Sequence, residues 1–107
     1  MIALNSVAEL AEVERQELAV VYHHSPICWI CALARFRLKR FARAHRNIPI
    51  YLVNVLRSRA LVDEIAVRYQ IPHASPQAIV LRRGVAVWDA SHFAISGHAL
   101  ARSVGLQ

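Results

Sequence analysis

Two cysteines, Cys28 and Cys31, stand where a stretch with the pattern of a buried strand gives way to one with the pattern of an amphipathic helix. Leu18 to Tyr22 is a nearly continuous apolar run, as suits a strand covered on both faces. His23 to Ile27 is a loop, broken by Ser25-Pro26. A long helix is expected to start at or just before Cys28 and to run to about His45. On a helical wheel Ile30, Leu33, Ala34, Leu38, Phe41 and Ala44 share one side, while Arg35, Lys39, Arg43 and Arg46 share the other. Arg37 falls inside the apolar arc, which predicts either a snorkelling side chain or a kinked helix.

The rest of the chain continues the alternation. Asn5 and Ser6 can cap a first helix with Val7, Leu10, Ala11 and Val13 as its apolar positions. Ile48 to Leu56 is a second strand, and Ser58 to Tyr69 a helix that buries Leu61, Val62, Ile65 and Tyr69. The segment Ile71 to Pro76 is a loop by its two prolines. Gln77 to Leu81 and Val85 to Trp88 form a hairpin around Arg82-Arg83-Gly84, where Gly84 can take positive φ. Ile95 to Val104 is a last helix, ended by Gly105. Strands alternating with helices favour parallel pairing first, and the terminal hairpin adds an antiparallel part. The expected fold is α/β: a single thioredoxin-like domain over residues 1–107, with a central mixed four-stranded sheet flanked by helices.

Composition narrows the classes. With 107 residues, 56% of them hydrophobic and only 19% charged, the chain can bury a core and is not of disordered type. No run approaches the roughly 18 apolar residues of a membrane span, so no membrane partner is expected. Met1 to Glu17 lacks a basic leader region and carries Glu9, Glu12, Glu14 and Glu17, which argues against a secretory signal and for a cytoplasmic protein. The net charge of +6 is concentrated in Arg35, Arg37, Lys39, Arg40, Arg43 and Arg46, a cluster that favours anionic partners or is simply a solvated helix face. No nucleic-acid-binding motif accompanies it, so that class is not expected.

The dithiol carries the chemistry. Cys28 lies at the N-terminal end of its helix, where free N–H groups and the helix dipole stabilise a thiolate. Cysteines so placed in C-x-x-C motifs have pKa values depressed to between ~3.5 and ~7.5. Cys31 lies about one turn on and can close a disulfide. The expected roles are Cys28 as nucleophile and Cys31 as resolving thiol in a two-step exchange. An inert buried pair and a zinc site are the rivals. His-His-x3-Cys-x2-Cys offers four ligands on paper, but no second ligand pair stands out at a distance, and adjacent strand residues point to opposite faces. No metal site is therefore expected. Ser75-Pro76 is the candidate cis bond, preferred to Pro72 because Pro76 abuts the strand. His24 can tune Cys28 or shuttle a proton, and Trp29 can cover the dithiol or offer a flat face to a partner; the bland alternatives are a loop histidine and a packing aromatic. His92 and His98 are read as surface residues.

These residues carry two resemblances. Val20 to Cys31 and the spacing from Pro76 to Gly84 resemble thioredoxins, although the aspartate those proteins bury six residues before the nucleophile is Tyr22 in this chain. The motif around the cysteines is likewise Ile-Cys-Trp-Ile-Cys in place of Trp-Cys-Gly-Pro-Cys. Over nearly the whole chain, His24-Ser25-x-x-Cys28-x-Ile30, Tyr51 to Val55, Ser75 to Ile79, Val87-Trp88 and Ser91-His92-Phe93 resemble the bacilliredoxin family of the YtxJ type. That resemblance implies removal of bacillithiol from mixed disulfides on proteins, with Cys28 as nucleophile, Pro76 as the cis-proline, Ser75, His24 and Trp29 shaping the site, no bound cofactor, and bacillithiol or another low-molecular-weight thiol as co-substrate. Its partners would be S-thiolated or disulfide-bonded proteins. The family's usual motif is Thr-Cys-Pro-Ile-Ser, with one cysteine; Trp29 and Cys31 depart from it and open an internal route for resolution. The alternatives are a general thioredoxin-like protein disulfide reductase and a non-catalytic module of the same fold that binds a metal or a partner.

Overall fold

In a computed structural model that describes residues 1–105, the apolar run before the dithiol is the central strand of a five-stranded sheet. The elements in chain order are β1 (Ile2–Ala3), a 3-10 turn (Val7–Glu9) running into α1 (Leu10–Glu14), β2 (Leu18–His24), α2 (Trp29–Ala44), β3 (Ile50–Asn54), α3 (Arg59–Tyr69), β4 (Gln77–Arg82), β5 (Val85–Ser91), a second 3-10 turn (His92–Ala94) and α4 (Gly97–Ser103). The strand order is β1-β3-β2-β4-β5. The β1–β3 and β2–β3 pairs are parallel; the β2–β4 and β4–β5 pairs are antiparallel.

The pleat of β2 divides the core in two. Ala19 and Val21 face α1 and α3, where they join Leu10, Val13, Leu61 and Ile65. Val20 and Tyr22 face α2 and α4, where they join Ala34, Leu38, Phe41 and Leu100. Because β2 has helices on both faces it carries no polar alternation, which is why it reads as a continuous apolar run.

Several expectations need correction. The sheet has five strands, not four, because Ile2 and Ala3 pair with Tyr51 and Leu52; two residues are too few to show a period. The first helix is a 3-10 turn and one short α-helical stretch, and the Glu9 carboxylate accepts hydrogen bonds from the N–H groups of Asn5 and Ser6. The last helix starts at Gly97, not Ile95, because the Ser96 Oγ accepts the Ala99 N–H (3.1 Å) and sets the cap there. Arg37 snorkels. Its guanidinium donates to the carbonyls of Phe93 (3.2 Å) and Ile95 (3.0 Å), tying α2 to the segment that leads into α4.

The hairpin turn is two residues long, not three: Arg83 and Gly84 take φ of 49° and 79°, as a primed turn requires. A Cβ on Gly84 would stand 3.2 Å from the Glu14 Cβ. Gly84→Ala thus combines a left-handed backbone with crowding of α1. It is expected to cost about 1–2 kcal/mol and to lower the thermal midpoint by roughly 5–10 °C. A midpoint equal to that of the parent chain would show that the turn relaxes instead.

Candidate active site

The site is built where β2 ends, α2 begins and the loop before β4 crosses in front. Cys28 is the N-cap of α2 in extended conformation (φ −110°, ψ 124°), and its thiol is partly exposed. The backbone N–H of Cys31 is the main reason its pKa lies below the ordinary thiol value; desolvation opposes it, and the Cys31 side chain and the Ile30 N–H add to the lowering. Cys31, one turn behind, is fully buried. Burial raises its pKa, while Ser75 and the Ser25 N–H act in the opposite sense. Its Sγ is 3.4 Å from the Ser25 nitrogen and 3.5 Å from the Ser75 Oγ. One thiol of the pair is accessible and acidic, the other shielded and protonated.

The Ser75–Pro76 peptide is cis, as expected, and Pro76 is buried. The Pro76 carbonyl accepts the His92 N–H (3.1 Å), which joins the proline loop to the turn after β5. That turn carries Phe93, whose ring lies 6.0 Å from that of Trp29. Trp29, Phe93 and Ile27 are 70%, 58% and 83% exposed, so the mouth of the dithiol is apolar. Phe93 and Ile27 were no part of the expected site.

Among the described residues, the network beneath the dithiol has no carboxylate. Tyr22 is fully buried, and its hydroxyl donates to the Cys31 carbonyl (2.8 Å). With the phenol proton so used, its oxygen accepts from His24 Nδ1 (2.6 Å), which assigns the neutral His24 ring a proton on Nδ1 and a bare Nε2. Burial and then the charge of Arg35 lower the His24 pKa, so the ring is neutral at pH 7. Tyr22 itself is pushed above its ordinary value by burial and by the cysteines. No loop histidine is involved: His24 is the last residue of β2 and only 8% exposed.

His23 turns to the other face. Its Nδ1 is 2.9 Å from the Gln77 Oε1, and its ring is 5.2 Å from that of His73. His23 and His24 therefore diverge, and among the described residues no three His, Cys, Asp or Glu side chains gather as metal ligands. Gln77 was not foreseen as a site neighbour; its Nε2 donates to the Pro72 carbonyl (3.0 Å) and holds the proline loop to the end of β2. His92 and His98 are exposed, as expected.

A mixed sheet whose central strand, parallel to one neighbour and antiparallel to the other, delivers a C-x-x-C to a helix N-terminus, opposite a cis-proline, defines a thioredoxin-fold thiol–disulfide oxidoreductase. Solved structures agree on the fold. An assumed oxidoreductase with a thioredoxin fold is 31% identical, with a TM-score of 0.91 over 96% of this chain and 92% of that one. Fasciola hepatica thioredoxin (19% identity, TM-score 0.77, 97% of this chain and 96% of that one) is similar in fold. So is mitochondrial thioredoxin 3 of Saccharomyces cerevisiae (16%, 0.80, 97% and 92%). The family model described as monothiol bacilliredoxin BrxC matches residues 2–100, and the chain belongs to that family. It departs from the monothiol description in its second cysteine, Cys31.

Proposed function

We propose that this protein strips a low-molecular-weight thiol, bacillithiol in the first instance, from mixed disulfides on other proteins by a dithiol cycle. The observation that carries the reading is the asymmetry of the pair: a partly exposed Cys28 of lowered pKa with Cys31 buried directly behind it. Family membership supports the choice of small thiol.

The Cys28 thiolate attacks the small thiol's sulfur. A bond forms between the two sulfurs, the bond to the target protein breaks, and its electron pair leaves on the target's cysteine, which takes up a proton. Cys31 then loses its proton and attacks Cys28 Sγ, expelling the small thiol and closing the Cys28–Cys31 disulfide. That disulfide holds two oxidising equivalents, which two molecules of a thiol reductant, or one dithiol, remove. Ser75 and the Ser25 N–H, both already within 3.5 Å of Cys31 Sγ, steady the resolving sulfur as its charge develops. His24, held by Tyr22, is the nearby base able to accept a proton. Trp29 and the Pro76 loop form the apolar lip against which a target protein rests. A reducing compartment such as the cytoplasm would keep the pair supplied with electrons.

A second reading, general reduction of protein disulfides, uses the same Cys28–Cys31 pair and differs only in the substrate. Mass spectrometry of the reduced protein with a bacillithiolated carrier and, separately, with insulin separates the two. The expected result is loss of the adduct from the carrier, with the protein recovered as its internal disulfide. An intact adduct with reduced insulin would replace the proposal by the second reading. No transfer in either case would leave a non-catalytic module.

A further inference from the structure

The exposed side of α2 leads away from the dithiol along a groove of about 380 Å³ lined by His24, Cys28, Ala32, Arg35, Phe36 and Lys39, together with Pro26. Cys28, Ala32, Arg35 and Lys39 follow one another at three- to four-residue spacing and so form a single ridge, with Phe36 beside it. With a rise of about 1.5 Å per residue, Arg35 and Lys39 lie roughly 10 and 16 Å beyond Cys28 along the axis. Helical side chains lean toward the N-terminus, which brings both cationic heads about a turn nearer the thiol. No acidic residue occurs anywhere in α2. The ion pairs among the described residues engage Arg15, Arg68, Arg82 and Arg83, and leave Arg35 and Lys39 without a carboxylate. The field of Arg35 already reaches the site, where it helps to hold His24 neutral. A larger hollow of about 420 Å³ lies between α2 and α4, but Cys28 does not line it.

Two uncompensated cations along a groove of small-molecule size that opens at a thiol select a ligand with sulfur at one end and anionic oxygens at the other. We propose that the groove holds the acidic end of the low-molecular-weight thiol, its carboxylates paired with Arg35 and Lys39 while its sulfur lies against Cys28. This rests on the reading of the protein as a remover of small thiols from mixed disulfides, and it deepens that reading by fixing which sulfur is attacked. The sulfur held by the groove forms the new bond to Cys28, and the target protein leaves as the free thiol, with no change in total oxidation state in that step.

The test uses one single-cysteine carrier protein carrying, in turn, mercaptosuccinate, 2-mercaptoethanol or cysteamine as its mixed-disulfide adduct. Values of kcat/KM are expected to fall in that order, and the spread is expected to narrow with salt. In Arg35→Ala/Lys39→Ala the ratio of mercaptosuccinate to 2-mercaptoethanol turnover should fall about tenfold, the size of two lost solvent-exposed charge pairs. Arg43→Ala/Arg46→Ala, in the last turn of the same helix and just beyond its end, should keep the ratio. Succinate, which has no sulfur, should shift the backbone amide NMR signals of Ala32, Arg35 and Lys39 in the parent chain and not in the first double variant. An unchanged ratio in that variant, an equal loss in both variants, or a ratio that follows acidic residues of the carrier and not the adduct would each overturn the groove assignment. Absence of all exchange with the succinate shifts intact would instead overturn the proposed function and leave the groove standing.

Discussion

Cys28→Ser is expected to lower thiol exchange by at least about a thousandfold, because a hydroxyl at neutral pH supplies no comparable nucleophile and nothing else at the mouth of the site can replace it. Cys31→Ser should behave differently. The largest cause of the lowered Cys28 pKa is the backbone N–H of residue 31, which serine keeps. Its first step should therefore run at nearly the parent rate and then stall, with the small thiol retained on Cys28 until a second thiol molecule removes it. Mass spectrometry after a single turnover reads this as an adduct on Cys31→Ser and an internal disulfide on the parent. The pH profile of iodoacetamide alkylation supplies the second check. A lowered pKa keeps Cys28 as thiolate to lower pH, so its alkylation rate should reach its plateau at lower pH than that of a free cysteine, in the parent and in Cys31→Ser alike. Adduct-free turnover by Cys31→Ser at the parent rate would mean that Cys31 is not the resolving thiol and that the chain works as a monothiol protein despite its second cysteine.

What could be read from the sequence follows the range of the forces involved. Cys28 and Cys31 were legible because their geometry is local: a cap position, one helical turn, and a strand whose apolar run betrays burial on both faces. Pro76 was legible because it abuts β4 directly. Tyr22 was legible as a core position but not as a partner of His24, since a phenol's hydrogen bonds depend on what the fold brings to it. His23 and His24 look equivalent in sequence; the pleat of β2 sends one to Gln77 and the other to Tyr22, and only the register of β2 on β4 fixes which is which. Arg37 broke the helical pattern visibly, yet its reason lay 56 residues away at the Phe93 carbonyl. Phe93 and Ile27 were missed as members of the apolar mouth because an exposed aromatic or aliphatic residue has no period to announce it. β1 was missed because strand pairing of two residues leaves no pattern at all.

Acid should weaken the fold through His23. The ring is 1% exposed, its Nδ1–H is committed to Gln77 Oε1, and its Nε2 has no hydrogen-bond partner among the described residues. The Gln77 amide cannot turn to compensate, because its Nε2 is held by the Pro72 carbonyl. A second proton would sit on the buried Nε2, so burial above all, and then His73, depress the pKa from 6.5 to about 4 against the opposing hydrogen bonds to Gln77 and the Ala74 backbone. The unfolded chain binds that proton below pH 6.5, whereas the folded chain refuses it until about pH 4; stability therefore falls as the pH drops through that window and levels off below it. The full displacement corresponds to about 3 kcal/mol. Urea denaturation at pH 7.5 and 4.5 should give the parent chain about 2–3 kcal/mol more acid sensitivity than His23→Asn, which keeps a donor near the Nδ1 position and does not titrate. Parallel losses in the two proteins, or a His23 ring that titrates near 6.5 by NMR, would show that Nε2 finds a partner in solution. The consequence reaches the dithiol, since His23 and Gln77 anchor the segment from Pro72 to Ser75, and Ser75 is what stands beside Cys31. Loss of that anchor should free the resolving thiol from its neighbour before the sheet itself gives way.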